Sequence, residues 1–385
     1  MMLLRRDETE RPEPIGYNKA KAAQLMKQYN LDALILTSPE NTFYASGLPL
    51  LHQEINPILF ALRNQYPTIL LIQQDGEESL VLWDIFDKKL TWIKDVKGCL
   101  NPTSALRALG NFLKKINISD SQIGVESTLP FYIQHFLTEK FPSATISIAD
   151  ELLMDMRLIK SDEEIRRITE STRIAEQAIS NMIEATEIGV SDLELIKVGK
   201  RTMVEEDANG WDHFTMSIGE SDPEAPGIGL QVQDQQLSRF DIGALYQGYV
   251  SDVSRHVYTG AAPSNLKETI EAIVQVQNAC QAAIKPNVDP QDIITVSEQT
   301  WREAGRQDTF ILMAHSLGLN TEEYHFFDPM KGALKRKFQQ GNVFDLEAWT
   351  LLKGYGTIGN EDTYVVTATG CERISSLDMK IFEKI

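Results

Sequence analysis

The chain has 385 residues, long for one core and suited to two domains. Hydrophobic residues make up 42% and charged residues 24%, an ordinary globular balance that excludes a disordered or low-complexity chain. The net charge of −18 argues against nucleic acid and anionic membranes as partners, because phosphate-rich surfaces attract basic proteins.

Residues 1–16 read as a polar, proline-containing lead-in. An amphipathic helix is predicted over Tyr17–Tyr29, then a short buried strand, Leu31–Thr37, stopped by Ser38-Pro39-Glu40-Asn41. Thr68–Gln73 and Ser79–Trp83, joined through Asp75-Gly76, read as a hairpin. A helix near 103–115, a strand at Gln122–Val125, a helix near 130–140 and a strand at Ala144–Ile148 complete a small α/β domain with a mixed or parallel sheet.

A boundary is predicted near Met156–Ser161, giving domains at 1–157 and 158–385. A long charged helix follows from Asp162 to about Glu187, with the acidic first turn that a helix dipole favours. Another starts at Asp192. The arrangement recurs at Leu266–Ile284 and from Pro290, which hints at an internal duplication of paired helices followed by strand hairpins.

Cys99, Cys280 and Cys371 are far apart and form no C-x-x-C pair, so they read as free thiols in a reducing compartment. The first four apolar residues are too few for a signal-peptide core, and no run of 18 apolar residues occurs, so the expectation is a cytoplasmic protein.

Two acidic hairpins carry the chemistry. In Ser238–Gly260, Asp241 and Asp252 are equidistant from a loop centred between Tyr246 and Gln247, which would set them directly opposite on one face. Like charges there are destabilising and aspartate is a poor strand former, objections that a cation would remove. In Val343–Thr369, Glu347 and Glu361 are equidistant from Gly354. His315, after an apolar strand in Phe310–Leu319, adds one imidazole to four carboxylates. That set suits Mn²⁺, Fe²⁺, Co²⁺ or Zn²⁺ and differs from a thiolate zinc site.

Asp241-Ile-Gly, Gly248-Tyr-Val-Ser-Asp252-Val-Ser-Arg255, His315-Ser-Leu-Gly318, Val343-Phe-Asp-Leu-Glu347 and Glu361-Asp362 resemble, in order and spacing, the pita-bread metallopeptidases: Xaa-Pro aminopeptidases, prolidases and relatives. Met156–Glu164 resembles their domain junction, and Asn41–Gly47 the N-terminal domain of the prolidase and creatinase branch. The resemblance implies a creatinase-like α/β domain followed by a pita-bread domain with pseudo-twofold symmetry. It implies two divalent ions, Mn²⁺ foremost, with Zn²⁺, Co²⁺ and Fe²⁺ as alternatives. Asp241 would chelate one ion, Asp252 and Glu361 would bridge both, and His315 and Glu347 would hold the other. A hydroxide between the ions would attack an amide, and Glu347 would move its proton. The family also implies a homodimer acting on a small molecule or short peptide.

Departures from the family fall on substrate contacts. Gly227 stands where an upstream histidine is usual, Glu322-Glu323 where a His-Glu pair is usual, and Gly359 where an arginine is usual. Candidate replacements or pocket residues are Glu322, His325, His213 on a strand that the family uses to line its pocket, and His256, on the same side of its strand as Asp252. His325 is either a replacement for a lost histidine or a surface histidine beside Phe326 and Phe327. His135 reads as structural or surface, and His52 lies where the family can reach a partner subunit. The leading reading is a dinuclear hydrolase cutting an Xaa-Pro-like amide bond. The alternatives are a non-peptide hydrolase or lyase of the creatinase and ectoine hydrolase type, and an inactive binding protein, which would not need four convergent carboxylates.

Overall fold

A computed structural model describes residues 12–49, 61–116, 118–221 and 225–385. His52 lies outside the described residues. Contacts divide the chain into two compact units, Met1–Arg157 and Leu158–Ile385.

In the first unit, α1 (Lys19–Gln28) starts at Asn18, whose side chain accepts from the Lys21 N–H. The buried strand β1 (Ala33–Leu36) follows. Ser38-Pro39, expected to stop this strand, also starts a helix, α2 (Pro39–Ser46). Ser38 caps the Asn41 N–H, and Pro39 sits in the first turn, where its missing N–H has no helical partner to lose. Then come β2 (Ile69–Gln73), β3 (Glu78–Trp83), β4 (Asp95–Cys99), α3 (Pro102–Lys115), β5 (Gln122–Val125), α4 (Phe131–Lys140), β6 (Thr145–Ile148) and α5 (Asp150–Arg157). The sheet order is β4-β3-β2-β1-β5-β6. It is mixed, antiparallel at β1–β2 and β2–β3 and parallel at β1–β5, β3–β4 and β5–β6. Ala105, Leu109 and Leu113 of α3 pack in one core with Ile35, Leu71 and Val81. Each of these buried leucine, isoleucine and valine side chains contributes about 1.5–3 kcal/mol relative to exposure. His135 is exposed on α4 and stacks on Phe131.

The second unit opens with two capped helices. Ser161 and Glu164 form a capping box on α6 (Asp162–Ala185), and Ser191 and Glu194 form another on α7 (Asp192–Glu205). Strands β7 (Gly210–Ile218), β8 (Leu237–Tyr246), β9 (Tyr249–Val250) and β10 (Val253–Thr259) follow. The pattern recurs as α8 (Ser264–Ala283), α9 (Pro290–Glu303), β11 (Ile311–Ser316), β12 (Tyr324–Asp328), β13 (Gly332–Ala333), β14 (Val343–Leu352) and β15 (Gly356–Val366), then β16 (Cys371–Arg373) and β17 (Ile381–Lys384). The main path of the sheet is β13-β12-β11-β14-β15-β10-β8-β7, so the two halves meet where β10 pairs with β15. Side chains alternate between the faces. Phe240, Ile242, Val253 and Val257 pack with Ile174, Ala178, Ile179 and Met182 of α6. The alternate residues of the same strands, Asp241, Ser254 and His256 among them, point to the other face.

The first acidic hairpin turns one residue later than its sequence symmetry predicts. Gln247 and Gly248 both have positive φ, 49° and 89°, the two-residue turn whose twist suits a hairpin. Leu245 therefore faces Val250, and Asp241 faces Ser254 instead of Asp252. Moving the partner by two residues preserves the face, so Asp241 and Asp252 remain on one side as diagonal neighbours. The second hairpin has the predicted register, with Glu347 opposite Glu361 and the loop centred on Gly354.

Candidate metal centre

One lateral row of side chains crosses the sheet: Met313, Glu347, Glu361, Ser254, Asp241 and Thr215 are successive cross-strand partners. A neighbouring row holds His325, His315, Asp345 and Thr363. The rows bring donor atoms of Asp252, His315, Asp345 and Glu361 within 4.8 Å of one another, and those of His213, Asp241 and Asp252 likewise. Asp252 belongs to both groups.

The imidazoles and carboxylates converge at short distances. His315 Nε2 lies 3.5 Å from Glu347 Oε1 and 3.4 Å from Glu361 Oε1. His213 Nε2 lies 3.2 Å from Asp252 Oδ1 and 3.5 Å from Asp241 Oδ1. Arg239 Nη2 lies 2.7 Å from Asp241 Oδ2. Asp241 Oδ1, Asp252 Oδ1, Glu361 Oε1 and both oxygens of Asp345 are buried with no hydrogen-bond partner among the described residues. Buried carboxylates without donors are costly unless an ion replaces their water. These residues therefore fit a metal.

Burial and neighbouring charges set the direction in which each group's pKa moves. Burial, reinforced by the charges of Asp241 and Asp345, pushes Asp252 well above the usual carboxylate range against the pull of His213. Burial does the same to Glu361, helped by Asp252 and Glu347, and to Asp345. Asp241 is pulled down, because Arg239 and His213 overcome its burial. Burial opposes charge on both histidines, but Asp252 and Asp212 raise His213, and Glu347 and Glu361 raise His315.

Other candidates separate clearly. Glu322 lines the same cavity as the carboxylates, and its Oε2 lies 3.2 Å from His325 Nε2. His325 stands beside His315 across the β11–β12 pair, with ring centroids 5.9 Å apart. His256 is fully buried, with Nε2 3.2 Å from the Thr357 carbonyl. Burial and the charge of Arg239, its cross-strand partner, push its pKa down to about 3. It supports the floor and does not line the cavity, a correction to the expected substrate contact. Gly227 turns toward α7, where a Cβ would come within 2.5 Å of Ile196. Asp192 of α7 fixes that loop by accepting from the N–H groups of Ile228 and Gly229.

The sequence reading overlooked Asp345, Arg239, Asp212 and Thr321. Two of them carried a usable signal: Asp345 and Arg239 stand two residues before Glu347 and Asp241, and strand alternation puts each on the ligand face. Asp212 Oδ2 lies 3.0 Å from His213 Nδ1 and also accepts from Thr321 Oγ1. The Thr321 carbonyl lies 3.1 Å from His315 Nδ1. No sequence pattern joins 212 to 321.

Comparison with known proteins agrees with this geometry. Residues 166–368, more than half of the chain, match metallopeptidase family M24, and residues 19–159 match the creatinase/prolidase N-terminal domain. The chain is 23% identical over 365 residues to an Xaa-Pro dipeptidase of Pyrococcus horikoshii, covering 94% of this chain and 97% of that one. It is 25% identical over 362 residues to an uncharacterized peptidase of Staphylococcus saprophyticus, covering 92% and 97%. Among solved structures, the Pyrococcus horikoshii prolidase superposes with a TM-score of 0.78 at 22% identity, covering 94% of this chain and 98% of that one. A dipeptidase of the same organism reaches 0.83 at 19% identity, covering 95% and 99%. The chain thus belongs to metallopeptidase family M24, with a creatinase/prolidase N-terminal domain, and is a metallohydrolase.

Proposed function

We propose that this metallohydrolase is dinuclear and cleaves an amide bond in a short Xaa-Pro-like substrate. Asp241, Asp252, His315, Glu347 and Glu361 would hold the ions, and Asp345 would add a carboxylate beside His315. The observation that carries the reading is the set of buried carboxylate oxygens without donors, gathered in two groups that share Asp252. Two divalent ions together with Arg239 match the charge of the five carboxylates. Bound there, the ions supply a water activated at neutral pH and polarise the scissile carbonyl.

Glu347 lines the cavity and stands 3.5 Å from His315, so its carboxylate is placed to take a proton from the attacking water and deliver it to the leaving nitrogen. Glu322, which lines the cavity, stands at the place of the absent imidazole, and His325, 3.2 Å from it, lies outside the cavity lining. Arg239 brings a guanidinium to a site that has glycine at 359. A cavity of 360 Å³, walled in part by Ile311, Met313 and Trp349, suits a dipeptide or a smaller molecule. The small cavity also favours a second reading, a small non-peptide amide. Hydrolysis of an Xaa-Pro dipeptide series by metal-loaded protein tests the first reading; fully loaded protein that hydrolyses none of them overturns it.

A further inference from the structure

We infer that His213 is itself a metal ligand, so that each ion carries one imidazole: His213 with Asp241 and Asp252, His315 with Glu361 and Asp252. The inference rests on the dinuclear reading and goes beyond it, because that reading gives the first ion carboxylates only.

Arg239 creates the need for another donor. With its Nη2 2.7 Å from Asp241 Oδ2, that oxygen is engaged by a guanidinium, leaving Oδ1 as the one turned to a cation. A chelating role for Asp241 is thereby reduced to a single oxygen. Asp241 Oδ1 and Asp252 Oδ1 are both buried without hydrogen-bond partners among the described residues, and His213 Nε2 converges on the same point from β7. The three donor atoms lie within 4.8 Å of one another.

The ring is presented in the ligating tautomer. Asp212 can only accept, so His213 Nδ1, 3.0 Å from its Oδ2, carries the hydrogen and Nε2 offers a lone pair to an ion. Thr321 fixes Asp212 by donating to the same oxygen. The Thr321 carbonyl holds His315 Nδ1 in the same way, so a single residue orients both rings. Histidines that bind metals usually direct their second nitrogen to a carboxylate or carbonyl in this manner. Gly243 leaves the space: a Cβ there would come within 2.8 Å of the His213 ring and 2.4 Å of the Ser251 carbonyl. A second imidazole shifts preference from Mn²⁺ toward Co²⁺ and Zn²⁺.

Proton NMR of the full chain loaded with Co²⁺ tests this. An imidazole bound through Nε2 keeps its Nδ1–H, which gives a strongly shifted, solvent-exchangeable signal. The wild type should give two such signals, and His213→Gln one. Calorimetry should show one of two Co²⁺ equivalents weakened at least about tenfold in that variant, the scale on which support for a metal site is lost. His315→Gln should remove the other signal. A single wild-type signal that survives His213→Gln overturns the inference and leaves the dinuclear reading standing. Failure of the wild type to bind a second equivalent overturns both.

Discussion

Glu347 stands directly across from Glu361 in the β14–β15 ladder, two acids in a position where like charges repel. Both line the cavity, and Glu347 is the more exposed of the two, at 8% against 2%. Replacing Glu347 by alanine should lower kcat by about 10²–10⁴-fold, the range for a lost general acid–base group. Steady-state kinetics at saturating metal checks this; retained kcat would remove Glu347 from the proton path.

Metal removal should destabilise the protein in a pH-dependent way. Asp252, Asp345 and Glu361 hold protons more tightly folded than unfolded, as do His213 and His315. For groups raised on folding, the stabilisation is complete below the unfolded pKa and is lost as pH rises through the folded value. Asp241, lowered on folding, works in the opposite sense only below the ordinary carboxylate range, outside this window. His256, held down to about 3, also works in the opposite sense until its unfolded value is passed. The raised groups outnumber it, so the metal-free protein should weaken from pH 5 to pH 8. Bound metal replaces those protons, and the gap in Tm between loaded and chelator-treated protein should widen over that range. A gap that is constant or narrows contradicts the assignment.

The Lys160–Glu323 ion pair is buried, at 2.9 Å with both side chains almost fully covered. Glu323 also accepts from the Leu319 N–H, so the pair shapes the segment after His315. Lys160→Met leaves Glu323 charged in the interior and should cost about 3–5 kcal/mol of stability. Urea unfolding measures it; a loss under about 1 kcal/mol, the level of an exposed pair, would refute the structural role.

Burial pushes Cys99 up to about 11 and Cys280 and Cys371 up to about 12. The thiolate is the reactive form, so none of the three should react rapidly with a disulfide reagent at pH 8, and all three should react once the chain is unfolded. Fast labelling of the native protein would contradict this.

Much of the site was legible because two periodicities cooperate. Strand alternation and loop symmetry together brought Glu347 and Glu361 into register, and the position of His315 after an apolar run identified its strand. The same arithmetic failed by one residue at Tyr246–Tyr249, where Gln247 adopts a left-handed conformation that no rule requires of glutamine. The helix starts predicted at Asp162, Asp192 and Pro290 are each preceded by a capping side chain, that of Ser161, Ser191 or Asp289. Ser38-Pro39 misled, because the same pair ends a strand and starts a helix. The Asp212–Thr321 contact depends on β7 and the β11–β12 segment meeting through the fold, information that is absent from either segment alone.

Titration of chelator-treated protein with metal, followed by mass spectrometry of the bound ions, should give two divalent ions per chain, with amide hydrolysis emerging as the site fills. A folded, stable chain that binds none would rule out a metal centre here.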